Sequence, residues 1–131
     1  DSTGKGVIDS GATRTVASAM AMESIAQEIG SERIRIDANR RPRFKFGNGS
    51  RGVASSTAYI RYEDIGEVEI AVIETERYVP VLLSIALLRR IKATIEFATG
   101  IMTSEKGMTQ LETLGGGHLA MNLCRKNLCN E

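Results

Sequence analysis

The side chains best placed for chemistry in this 131-residue sequence are three in a row, Asp9, Ser10 and Gly11. Val7 and Ile8 ahead of them are β-branched and suit a buried strand. The acid, the small hydroxyl residue and the glycine suit that strand's abrupt end. A carboxylate held there can act as general acid or base, Ser10 can hydrogen-bond to hold it, and Gly11 lets another backbone come close. Asp and Gly are also the residues of plain turns, so the tripeptide alone does not separate a site from a turn. Its context does more.

Other chemistries fit the sequence less well. His118, Cys124 and Cys129 are the soft metal ligands, three groups without the close pairs of a zinc site, and read as a surface histidine and two ordinary cysteines. A serine triad on Ser10 would depend on His118 alone, and the glycine that a nucleophile elbow needs two residues earlier is Ile8. Gly47-Asn48-Gly49-Ser50-Arg51-Gly52 matches G-x-G-x-x-G, but Val53 to Ile60 forms strand where a dinucleotide site needs a helix. Thr3, Gly4 and Lys5 have neither the order nor the spacing of a phosphate loop. Met20 and Met22 read as core filling. No metal and no cofactor is expected.

The run Val7-Ile8-Asp9-Ser10-Gly11-Ala12-Thr13 resembles the active-site strand of retroviral-type aspartic proteases, whose signature is apolar-apolar-Asp-Thr/Ser-Gly-Ala. Phe44-Lys45-Phe46-Gly47-Asn48-Gly49, Pro80-Val81-Leu82-Leu83-Ser84 and Ala93-Thr94-Ile95-Glu96-Phe97 look like the protease segment of copia-type retrotransposon polyproteins. The resemblance spans residues 5 to 123, and the Asp9 motif is its specific part. It implies a mainly β, closed-sheet acid-protease (retropepsin-like) fold with one or two helices. It implies that Asp9 is catalytic, that Ser10 and Gly11 support it, and that Ala12 and Thr13 contact an extended peptide. Phe46, Gly47, Asn48 and Gly49 would join them as a flap, a mobile hairpin closing over the substrate, which is the parent polyprotein. Family members often carry a glycine where this chain has Ser84, which questions close packing against the Asp9 loop.

Single-chain aspartic proteases need two such loops. The second Asp-x-Gly here, Asp64-Ile65-Gly66, lacks the hydroxyl and follows Arg61-Tyr62-Glu63 rather than an apolar strand, so it reads as a hairpin turn. An active enzyme would therefore be a homodimer with its site on a two-fold axis. The rival is a non-catalytic relative that dimerises or binds peptide without cutting it. A nucleic-acid-binding role for Arg40 to Arg51 has little electrostatic support, because 17 basic and 16 acidic side chains leave a net charge of +1.

These residues need elements to position them. The length suits one domain, and 42% hydrophobic residues without tryptophan is ordinary for a globular chain. Residues 1–6 read as a flexible lead-in, 7–123 as the protease domain and 124–131 as a solvated tail. A helix is predicted from Ala17 to Ile29, stopped by Gly30. Arg33 to Asp37 alternates as a strand with one wet face, and Arg40, Arg41, Arg43 and Lys45 read as a solvated loop and strand edge. Phe44 to Phe46 and Val53 to Tyr62 read as a hairpin around the glycine-rich turn. Glu67 to Glu74 and Val79 to Leu83 read as strands, and Ser84 as the N-cap of a helix carrying Leu87, Leu88 and Ile91. Ala93 to Phe97 pairs with Ile101 to Thr103. After the break at Gly115 to Gly117, His118 to Leu123 is a last strand, which in the retroviral proteases helps to build the dimer interface.

The longest apolar run, Val79 to Leu88, is broken by Pro80 and Ser84 and falls short of the roughly 20 residues that span a bilayer, so no membrane segment is expected. The chain opens on Asp1 without a basic-then-apolar leader, which reads as no signal peptide and as a piece excised from something longer. Sparse cysteines are compatible with a reducing compartment, and the expected location is intracellular, in the cytoplasm.

Overall fold

The computed structural model describes residues 1–46 and 48–125, and they are mainly β with two helices. In order come β1 (Lys5–Ile8), β2 (Val16–Ser18), α1 (Ala19–Ile29), β3 (Ile34–Asp37), β4 (Arg43–Lys45), β5 (Arg51–Val53), β6 (Ser56–Tyr62) and β7 (Gly66–Ile73). There follow β8 (Val81–Leu83), α2 (Ile85–Arg90), β9 (Thr94–Glu96), β10 (Ile101–Ser104), β11 (Gly107–Gln110), β12 (Glu112–Thr113) and β13 (Leu119–Asn122). Eight strands form one sheet in the order β12-β13-β1-β8-β2-β7-β6-β3, while β9 to β11 form a three-stranded sheet and β4-β5 a separate hairpin. Among the described residues no helix is long and apolar enough to cross a membrane.

The lead-in is shorter than expected. β1 begins at Lys5, and Gly6 is buried where a Cβ would stand 2.9 Å from Leu83 Cδ1. The predicted start of the first helix is also corrected. Val16, Ala17 and Ser18 form β2, wholly buried between β7 and β8, and the helix begins at Ala19. Tertiary pairing overrides the helix preference of an alanine-rich stretch. Ser18 serves both elements: its hydroxyl accepts from the Ala21 amide at 3.2 Å as an N-cap and donates to the Val79 carbonyl at 3.1 Å. Gly30 ends the helix with φ of +96°. Met22 fills core as expected, whereas Met20 is 39% exposed.

β6 and β7 make the longest ladder, closed by the predicted turn in which Tyr62 pairs with Gly66. Val53 to Tyr62 is not one strand. It breaks at Ala54 and Ser55, whose amides donate to the carbonyls of Pro42 and Val72, both at 2.8 Å. Among the described residues β3 pairs only with β6, at the sheet's edge, so its faces are less distinct than the alternation implied and Ile36 is 54% exposed. Arg40 in the basic cluster is paired with Glu69 at 2.8 Å.

The core gathers Ile25 of α1, Ile60 and Tyr62 of β6, Ile70 of β7, Leu83 of β8 and Met121 of β13. Arg125, expected in a solvated tail, is docked instead. It pairs with Asp64, and its guanidinium lies 4.7 Å from the centre of the Tyr62 ring. Residues 126–131 of the predicted tail, with Cys129, lie outside the described residues.

Candidate active site

Asp9 owes its position to β1 and β8. The two strands run parallel with Ile8 opposite Leu83, and the ladder extends one step as the Asp9 amide donates to the Leu83 carbonyl at 3.0 Å. The chain then turns sharply. The Ala12 amide donates to the Asp9 carbonyl at 3.2 Å, and the Gly11 amide donates to Asp9 Oδ1 at 3.0 Å. An N–H aimed at a carboxylate oxygen fixes the orientation of the side chain. The half-buried Asp9 is thus held by the Gly11 backbone, while Ser10 is exposed on the turn.

Ser84 does not prevent close packing. It is 2% exposed; its amide donates to Thr15 Oγ1 at 3.1 Å, its hydroxyl lies 3.1 Å from the same oxygen, and that hydroxyl also accepts from the Leu87 amide at 3.2 Å. One buried pair of hydroxyls therefore joins three things: the strand leaving the Asp9 turn, the end of β8 and the start of α2.

The β4-β5 hairpin stands beside this turn. Arg43 pairs with Val53, Phe44 with Gly52 and Lys45 with Arg51, so Phe44 lies on one face and the cations on the other. Gly52 is required there, because a Cβ would come within 2.6 Å of Phe44 Cζ. Phe44 and Phe46 meet edge to face at 5.1 Å. At the tip the Phe46 amide donates to the Ser50 carbonyl and the Gly49 amide to the Phe46 carbonyl, both at 2.9 Å, with Gly49 at φ of +91°. Gly47 lies outside the described residues. The hairpin's base is tied to the Asp9 loop: the Thr13 amide donates to the Lys45 carbonyl at 3.5 Å and Arg14 Nε to the Arg43 carbonyl at 3.0 Å.

Between hairpin and sheet lies a groove of about 820 Å³. Asp9 lines it together with Phe44, Phe46, Asn48, Gly52 and Val53 from the hairpin side. Ile73, Val79 and Leu82 supply apolar surface from the sheet side, and Arg41, Glu74 and Arg77 add charge. Comparison with protein-family models, curated proteins and solved structures finds no match.

Of the residues singled out from sequence, Asp9, Phe46 and Asn48 come together in this groove. Ala12 is 2% exposed and packs inside the turn. Gly49 is exposed at the hairpin tip. Thr13 borders a second concavity of about 420 Å³ with Arg43, Lys45 and Arg51. The residues that the sequence did not disclose are Phe44, Ile73, Val79 and Leu82 with the three charged ones. For Phe44 a signal existed, since its spacing from Phe46 puts both rings on one face of a strand. The others come from separate segments with no local mark.

Glu74 is the other carboxylate lining the groove, and it is remote from Asp9. In the sheet order β7 stands three places from β1, and by register Asp9 follows one end of its strand while Glu74 follows the opposite end of its own. Asp64 is remote too, engaged with Thr109 Oγ1 at 2.9 Å and with Arg125. Among the described residues no three of His, Cys, Asp and Glu lie close enough to hold a metal ion.

Proposed function

We propose that this chain is an aspartic endopeptidase whose active site is completed by a second copy. The observation that supports it most is the Asp9 carboxylate, held by the Gly11 amide at a strand end and lining a groove flanked by a glycine-bearing hairpin. Among the described residues the other acid lining the groove is Glu74, which follows the far end of a strand three places along the sheet and is not taken as the partner of Asp9. A two-fold axis beside the Asp9 turn supplies the second carboxylate. Two facing carboxylates cannot both stay ionised, so they hold one proton between them. One accepts a proton from a bound water while the other donates to the scissile carbonyl, and the water oxygen attacks the carbonyl carbon. The tetrahedral intermediate then collapses: its C–N bond breaks, the amine leaves with the proton taken from the water, and the gem-diol returns a proton to the dyad. The peptide lies extended, its backbone matched by the hairpin and its apolar side chains by Phe44, Phe46 and Leu82.

In this reading the fold is the closed-sheet acid-protease type, the natural substrate is a polyprotein that includes the domain, and the compartment is cytoplasmic. The contact between copies forms at the Asp9 turn rather than by extending β13, since both edges of β13 are already paired, with β1 and β12.

The test is cleavage of a mixed peptide library at pH 4 to 6 by the native chain and by Asp9→Asn. Activity should rise faster than linearly with protein concentration and fall by roughly 10²- to 10⁴-fold in the variant. A folded dimer that cuts nothing would replace this reading with that of a peptide-binding relative.

A further inference from the structure

The groove that Asp9 lines also takes in a charged end, with Arg41, Glu74 and Arg77. Register fixes that end: Ile73 lies beside Ser18, and the Ser18 amide donates to the Val79 carbonyl at 3.0 Å, so Glu74 to Tyr78 loops out there. Arg77 belongs to that loop. Arg41 reaches the same end from the hairpin side, because its Nε donates to the Ala54 carbonyl at 3.2 Å and the adjoining Ser55 amide donates to the Val72 carbonyl at 2.8 Å.

The two guanidiniums differ from their neighbour Arg40. Glu69 neutralises Arg40 and raises its pKa through a side-chain hydrogen bond and its charge. Arg41 and Arg77 line the groove and have no ion-pair partner among the described residues. With Nε of Arg41 engaged, its terminal nitrogens are still free to donate in the forked geometry that fits a carboxylate. Glu74 is the acid that lines this end with the two cations, while Glu76 of the same loop is exposed and does not line the groove.

We infer that the end of the groove remote from Asp9 selects an acidic side chain of the bound peptide through Arg41 and Arg77. This rests on the protease reading for the peptide's course and adds a substrate class: a chain with apolar residues at the cleaved bond and Asp or Glu farther along. From Asp9 to that end is three strand spacings and several residues of strand, which an extended peptide covers in roughly four to six residues.

The experiment uses peptides that share one apolar cleavage pair and carry Glu, Gln or Lys at a single position four to six residues away, on either side. Binding to Asp9→Asn is read by fluorescence polarisation and cleavage by the native chain. The Glu peptide should bind and be cut roughly three- to fivefold better than the Lys peptide, the range of a partly exposed ion pair. That ratio should shrink toward one in high salt. Arg77→Glu should invert it and Arg77→Lys should keep its sign; a general loss of folding affects both peptides alike and leaves the ratio readable. Equal binding of Glu and Lys peptides, preference for Lys, or no binding of either overturns the inference. Charge-selective binding to Asp9→Asn without cleavage by the native chain supports the inference and retires the protease reading.

Discussion

At the scale of single residues, the Asp9 turn was legible because everything it needs lies within seven consecutive positions. The strand, the acid and the glycine that ends the strand are neighbours in sequence. What holds Asp9 in place was legible only in part, since the Gly11 amide rather than the Ser10 hydroxyl reaches Oδ1. A backbone donor leaves no mark in a sequence. Tyr62 is a similar case, with nothing around it in the chain to suggest its role. It is fully buried, and its hydroxyl donates to the Leu123 carbonyl at 2.6 Å. Burial pushes its phenol well above the usual range, partly offset by the Arg125 charge. An unfolded tyrosine loses its proton near pH 10 while this one keeps it, so the folded state loses relative stability as pH rises past about 10. Tyr62→Phe should remove that part of the alkaline decline while costing about 1 to 3 kcal/mol at pH 7, because the Leu123 carbonyl is left buried without a donor. Urea unfolding of both proteins at pH 7 and above pH 10 checks this. Parallel declines would show that Tyr62 does not carry the effect.

At the scale of elements, long periodic segments were read well, and short ones governed by distant partners were not. α1, β7 and the turn between β6 and β7 follow from periodicity and turn chemistry. β2 was hidden because its three residues form strand only through β7 and β8, and β11 because its residues are mostly exposed and polar at their ends. The hairpin was foreseen, but not its short second strand. Its stiffness depends on Gly52. Gly52→Ala would force the Phe44 ring off its seat, since the added carbon would stand 2.6 Å from Cζ. The substitution should destabilise the chain by roughly 1 to 3 kcal/mol, the usual cost of overpacking, and weaken peptide binding to the Asp9→Asn background. Gly49→Ala is the comparison. It has open space but φ of +91°, so it should strain the tip without displacing Phe44. Equal effects of the two on peptide binding would argue that the Phe44 contact does not shape the groove.

At the scale of the whole molecule, the groove could not be read in advance because its walls come from four separated stretches that only the sheet order brings together. That order also decides where the two ends of the described chain emerge. β1 and β13 are antiparallel neighbours with Lys5 opposite Asn122, and the Leu123 amide donates to the Gly4 carbonyl at 2.9 Å. Entry and exit thus lie side by side. A circular permutant that joins residue 125 to residue 3 through a short flexible bridge, so that the docked Arg125 is kept, with new ends opened in the exposed Gly115 to Gly117 loop, turns β13 and β1 into a hairpin. It should unfold cooperatively with a Tm within about 5 °C of the parent, as an exposed loop without core contacts allows. Failure to fold would mean that the original order of synthesis is needed to assemble the sheet. Adjacent entry and exit also mean that the domain can sit in a longer polypeptide as an insert drawn in at one seam. Cutting that polypeptide on either flank would leave every strand with its present neighbours, so release from a host chain would require no refolding.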